Sequence, residues 1–440
     1  MFVYEYMSGL VESVRGDSNE PFDPYKFRKV AHPTTYMETM IHLLKGSIGA
    51  GILAMPDACR RVGIIIAIIG IIFIGGFATY CLQLMIYSEV EVCRRHRRGY
   101  MAYSKCMKLA ILEGPKWFRC SSGFFYFLVE FMLILWQLGV CSIYFVFVAQ
   151  NLKQVFDYYG MTISLRLMIT YLLPMEIVVN LVKNLKLLTP MSTFSNAVTL
   201  AGMGLIMFYL IEDDLEYDDS KLQLKELTDI PQFIGTTLFA MEAVGVVLAL
   251  EYNMENPRRF VGLCGLLSIG MIIILSLFVL MGVPGYFKYG DETKASITLN
   301  LPQEQKKAQA AKVAFSLALF FSFPLQNFVA YELIWRKLKK RSPSLATKGS
   351  DYLLRIALVL VPYAPAVSIP KLGPFISLMG ALCLSLLAIV FPGIMDMCLW
   401  YPNNYGAAKY KLLRDIFIIF FGLICLFSGV YVSILEFIND

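Results

Sequence analysis

The chain has 440 residues, of which 57% are hydrophobic and only 16% charged, with a mean hydropathy of +0.61. A soluble domain carries about 25% charged residues and about 45 to 50% apolar ones, so this excess of apolar residues points to lipid rather than to one large core. The net charge of +6 is spread over short segments between apolar runs, which excludes a nucleic-acid interface and suits membrane orientation instead.

Residues 1 to about 35 are polar, mixed and without sustained periodicity, and read as a disordered cytoplasmic tail ahead of a transmembrane domain over 36 to 440. No positive n-region followed by an apolar h-region and a small-residue cleavage site appears there, so the first spanning helix itself directs insertion. About 20 mostly apolar residues are needed to cross a bilayer. That criterion predicts eleven spans, at about 37 to 57, 62 to 90, 122 to 150, 163 to 181, 187 to 211, 232 to 252, 260 to 284, 308 to 333, 351 to 369, 374 to 399 and 414 to 436. The stretch from about 100 to 119 is too polar to span and suits an interfacial amphipathic helix. With the N-terminus inside, inward segments hold about 25 of the 39 basic residues and outward segments about 12, which sets the N-terminus in the cytosol and the C-terminus outside. The acidic loop from Glu212 to Ser220 then faces outward. The ten cysteines lie in apolar runs or on the membrane or cytoplasmic side and contain no CxxC pair, so neither a disulfide framework nor a metal site is expected.

The first span reads HLLKGSIGAGILAMPDACRR, from His42 to Arg61. Each glycine inside a helix costs about 0.5 to 1 kcal/mol relative to alanine, which asks for a reason. One reading is a break. Unwinding a helix in mid-membrane frees backbone N–H groups, and the new helix N-terminus favours an anion, so the backbone of Ser47, Ile48, Gly49, Ala50 and Gly51 can receive a substrate carboxylate, with the Ser47 hydroxyl as an additional partner. The other reading is close helix packing through small residues. The sixth span carries Glu242 near its middle, five spans after the first, a spacing that suits two inverted five-helix repeats with an eleventh helix appended. An acidic side chain at that depth costs at least about 2.5 to 3.5 kcal/mol. Glu242 can hold a substrate ammonium, carry a proton, or bond the broken backbone; a protonated structural carboxyl is the alternative.

His42 precedes the break by about one turn, and its ordinary pKa of about 6.5 lets its charge couple to conformation; a neutral histidine satisfied by a carbonyl is the alternative. Gln137, Cys141 and Tyr144 share a face of the third span, where Tyr144 can cover a substrate, and Phe239 can gate it from the sixth; lipid-facing or packing aromatics are the commoner explanation for both. Ser316, Ser322 and Asn327 make a weak polar stripe on the eighth. No phosphate loop, HExxH or GxSxG motif appears, which argues against an enzyme.

Four stretches, IHLLKGSIGAGIL, QLGVCSIYFVFVAQNLKQV, FAMEAVGVVLALEYNMENPRRF and GYFKYGDETKASITLNLP, resemble the proton-coupled amino acid transporters, a branch of the amino acid/auxin permease family. The likeness runs from about residue 30 to the C-terminus. It implies an all-α membrane fold of five-plus-five inverted repeats with broken first and sixth helices. It also implies symport of glycine, alanine or proline with a proton into the cytosol, across the plasma membrane or a lysosomal or late endosomal one. No cofactor is implied beyond the proton as coupling ion, and partners are the amino acid, the proton and the lipid bilayer. In the family motif the histidine before the break is the proposed proton-coupling residue and falls on His42, and Glu242 falls on the sixth-helix acid. The chain departs from the family's GNIGTG at Ser47 and Ala50, and from LPLE at Ala249, changes that bear on substrate range. A nutrient sensor acting on a growth-signalling complex and an uncoupled facilitator are the other expectations.

Overall fold

The computed structural model describes the chain apart from residues 1–21, 29, 31, 183–184, 213–218, 223–224, 226, 242–243, 346 and 440, and apart from the side chains of 185–192, 212, 219–220, 244–246 and 407. The described chain is helical almost throughout, with one isolated bridge, Thr34 to Met254.

The first expected span is three pieces. Helix α1 (Tyr36–Ser47) starts on a capping box: the Thr35 hydroxyl accepts from the Glu38 N–H at 3.4 Å, and the Glu38 carboxylate accepts from the Thr35 N–H at 2.9 Å. It stops at Ile48 and Gly49, which are extended, and the chain resumes as α2 (Ala50–Leu53) and α3 (Met55–Val62). Pro56 sits at the second position of α3, where its missing N–H costs no intrahelical bond. Gly63, at φ +83°, turns the chain into α4 (Ile64–Arg95). The expected amphipathic segment forms α5 (Tyr103–Glu113), which packs its buried Cys106, Met107 and Ala110 face within the bundle.

Helices α6 (Ser122–Tyr158), α7 (Leu165–Asn180) and α8 (Leu185–Glu212) follow, then the sixth segment in two pieces, α9 (Ile230–Ala240) and α10 (Val244–Asn253). Next come α11 (Leu266–Tyr289), α12 (Lys306–Arg341) and α13 (Lys348–Ser368). The tenth segment runs through α14 (Leu372–Met379), a π-helical stretch (Gly380–Val390) and α15 (Phe391–Leu399), and α16 (Tyr410–Asn439) is the last. Among the described residues eight helical segments are long and apolar enough to cross a membrane. They occupy eight of the eleven expected positions; the first and sixth are divided, and the fourth is a 16-residue helix containing Pro174.

The tenth segment lies at the centre, with 89% of its apolar window buried, whereas α16 buries only 28% and turns Phe417, Phe420, Phe427 and Tyr431 outward. Such rings suit lipid contact. Both ends of the bundle are tied by ions. At one end Arg61, at the close of α3, reaches Asp57 (3.2 Å), Glu436 of α16 (3.0 Å) and the Gln232 side chain of α9. Removing one partner of a buried pair leaves the other uncompensated, at about 3–5 kcal/mol. Arg61→Ala should therefore lower the melting temperature of the purified protein clearly, while the largely exposed Arg94→Ala should hardly move it.

At the other end, part of the segment expected as a tail up to about residue 35 is packed on the bundle. Asp23 caps a short 3-10 turn (Pro24–Phe27), and the described residues from Phe22 onward pack against the bundle, because Arg28 and Thr34 find buried polar partners on the sixth segment.

Candidate functional site

The break in the first segment faces the break in the sixth. A Cβ built on Gly51 would lie 2.4 Å from the Ala240 Cα, so the start of α2 touches the last residue of α9 with no room for a side chain. The tenth segment closes on the same point, since a Cβ at Gly380 would lie 1.9 Å from the Gly235 carbonyl oxygen. Gly51 is thus required for close backbone approach, and the packing reading of this glycine holds in this conformation.

At the break, the Ile48 N–H donates to the Leu44 carbonyl at 3.0 Å and completes α1. The Ser47 hydroxyl donates to the Leu43 carbonyl at 3.2 Å, so its proton is engaged and the oxygen remains as an acceptor. This narrows the expected set of donors. The amides of Ala50, Gly51 and Ile52 head a new helix, where the first N–H groups have no intrahelical acceptor. Ala50 and Gly51 are buried, and Ile48 and Gly49 are partly exposed.

Glu242 lies outside the described residues. Its neighbour Phe239 is 1% exposed, with its ring 5.3 Å from that of Trp136 on α6. Tyr144 and Gln137 are buried on α6, and Cys141 between them donates weakly to the Phe323 carbonyl. Thr237, one turn before the end of α9, is fully buried with no partner for its hydroxyl among the described residues, and the Gln137 side-chain oxygen is likewise unmatched. A buried polar atom without a protein partner calls for an explanation. Trp136 and Thr237 carry no motif in the sequence, and only their places near the break mark them.

The stripe on α12 is engaged elsewhere: Ser316 bonds the Lys312 carbonyl, Ser322 pairs with Ser195 at 2.8 Å, and Asn327 donates to Asn180 at 2.8 Å. His42 is half-buried on α1, one turn from Glu38 on one side and near Lys45 on the other, and both charges act on it.

A family model of transmembrane amino acid transporter proteins matches residues 32–435. The proton-coupled amino acid transporter-like protein pathetic of Drosophila melanogaster is 38% identical over 422 residues, covering 95% of this chain and 88% of its own length. The amino acid transporter ANT1 of Arabidopsis thaliana is 27% identical over 441 residues, covering 95% and 97%. Among solved structures, the inward-facing conformation of Mhp1 matches with a TM-score of 0.59 at 14% identity, over 97% of this chain and 93% of that one. A substrate-bound, outward-open Na+-coupled sialic acid symporter matches at 0.53 and 12%, over 100% and 97%. These likenesses establish the expected fold, the five-plus-five inverted repeat with broken first and sixth segments, for an integral membrane protein that is not an enzyme. The chain belongs to the family of transmembrane amino acid transporter proteins.

Proposed function

We propose that the protein is a symporter that moves small neutral amino acids, of the glycine, alanine and proline type, together with a proton into the cytosol by alternating access. The observation that carries this reading is the contact of Gly51 with Ala240, which brings two helix breaks to one point in the bundle. The substrate carboxylate sits on the amides from Gly49 to Ile52, with the Ser47 oxygen beside it, and the ammonium meets backbone carbonyls near Phe239 to Glu242. Phe239, packed against Trp136, gates the site from the sixth segment. Tyr144 covers the substrate from α6.

His42 couples the proton, one turn before the break, and Glu242 serves as the acid of the sixth segment. The name of the Drosophila relative, a proton-coupled amino acid transporter-like protein, supports proton coupling. The N-terminus lies in the cytosol, and the membrane is the plasma membrane or a lysosomal or late endosomal one.

Uptake of radiolabelled alanine into proteoliposomes, with and without an inward proton gradient, tests the reading. Stimulation by the gradient is expected. Equal uptake in both conditions rejects proton coupling, and failure to take up any neutral amino acid rejects the substrate class.

A further inference from the structure

The described residues between Phe22 and Thr35 form a strap across the end of the bundle where α1 begins. It passes the turn between α4 and α5 so closely that a Cβ on Gly99 would lie 2.3 Å from the Phe27 carbonyl oxygen. It then reaches the far end of α10. The Thr34 N–H donates to the Asn253 carbonyl at 2.8 Å, and the Glu255 N–H returns a bond to Thr34 at 2.9 Å. The Thr34 and Thr39 hydroxyls, 2.9 Å apart, fasten the same residue to α1.

Arg28 is the centre of this fastening. Its guanidinium donates to the Glu251 carbonyl at 3.0 Å and to the Glu251 carboxylate at 2.9 Å, and the two side chains are only 7% and 4% exposed. The cation lies between two rings, 4.7 Å from the centroid of Tyr25 and 5.5 Å from that of Tyr252, and Tyr252 in turn packs on Tyr100 at 4.4 Å. Burial first, then the Glu251 charge, pushes the Tyr25 phenol up to about 12, so its ring stays neutral beside Arg28. Asp23 adds a second pair, with Arg258 at 2.6 Å. A planar guanidinium both forks onto a carboxylate and stacks on aromatic faces; an ammonium does neither well.

The strap therefore joins the outer ends of the two broken segments, α1 and α10. Neither can swing away from the other while Arg28 holds Glu251, and parting them leaves a carboxylate buried without its counter-charge. We propose that Arg28 is a positioning residue of the transport cycle: its pair with Glu251 holds this face of the bundle shut and must part before the face opens. This inference rests on the proposed transport reading, in which the N-terminal face is the cytosolic one.

The test reads conformation without needing substrate. Full-length protein in nanodiscs, with the exposed Cys120 and Cys264 replaced by serine, carries Ser47→Cys as a reporter at the break, where Ser47 is 2% exposed. Modification by a bulky maleimide should speed up about tenfold or more in Arg28→Ala and in Glu251→Gln. Arg28→Lys should fall between them and the parent, and the charge-swapped double, Arg28→Glu with Glu251→Arg, should return toward the parent rate. An unchanged rate in the single variants, or a swapped double as fast as they are, overturns the proposal. So does equal acceleration at the eight buried native thiols in the same variants lacking the reporter, because that marks general loosening.

A second arm uses Thr34→Cys with Met254→Cys, the two residues of the bridge. Oxidation should stop alanine uptake into proteoliposomes and reduction should restore it; full uptake in the cross-linked protein overturns the proposal. Absence of alanine uptake in the parent is a failure of the transport reading alone, and the labelling arm then decides the role of the strap.

Discussion

Gly51→Ala should lose most alanine uptake while the protein still folds. The added methyl would lie 2.4 Å from the Ala240 Cα and 2.9 Å from its Cβ, and the backbone of α9 cannot move away freely, because Gly235 and Gly380 already press it against the tenth segment. Overpacking of this kind costs about 1–3 kcal/mol. Charged only to the conformation in which the two breaks meet, that cost reduces its population about 5- to 150-fold. Ala240→Gly in the same chain removes the clash with the Ala240 methyl and leaves the closer one with the backbone, so it should restore part of the uptake and not all of it. Initial uptake rates and melting temperatures, measured side by side, separate a conformational effect from misfolding. Parent-level uptake in Gly51→Ala would show that the cycle does not need this close approach.

The second large effect is expected at His42. An inward gradient of one pH unit supplies about 1.4 kcal/mol per proton, enough for about tenfold accumulation of substrate. His42→Ala should abolish that accumulation and leave exchange of labelled for unlabelled alanine intact. In the parent, uptake should rise as the outer pH falls, because on the proposed coupling the protonated form of His42 is the loaded one. The variant should show a flat profile over the pH range in which uptake by the parent changes. Accumulation and pH profile both unchanged would remove His42 from the coupling mechanism and turn attention to Glu242.

Much of the fold was legible because the bilayer imposes a simple rule. Every backbone polar group in hydrocarbon must be bonded within its own element, so a run of about 20 apolar residues becomes a helix almost regardless of its neighbours. The glycines of GSIGAG and the placement of Glu242 marked the two segments that depart from the rule, and the structure divides those two segments, after Ser47 and after Ala240. Less legible was everything that depends on partners distant in sequence. Ser47 reads as a donor for substrate, yet its proton goes to Leu43. Ser316, Ser322 and Asn327 read only as a weak polar stripe, and the structure shows them bonded to Lys312, Ser195 and Asn180. Trp136 and Thr237 gave no signal, since an aromatic or a threonine in an apolar helix has no spacing that reveals what it faces.

The tail marks the same boundary most clearly. By composition, residues up to about 35 lack the apolar content to order themselves, and that inference is sound for an isolated segment. What orders the part from Phe22 onward is a buried carboxylate at Glu251, more than two hundred residues away, which takes its counter-charge from Arg28. The sequence by itself determined the helices, their break points and the family, because hydropathy and backbone satisfaction are local properties of the chain. Only the tertiary structure decided which small residues touch, which hydroxyls are already spent, and that Arg28 closes the end of the bundle, because contact and desolvation depend on where distant residues meet.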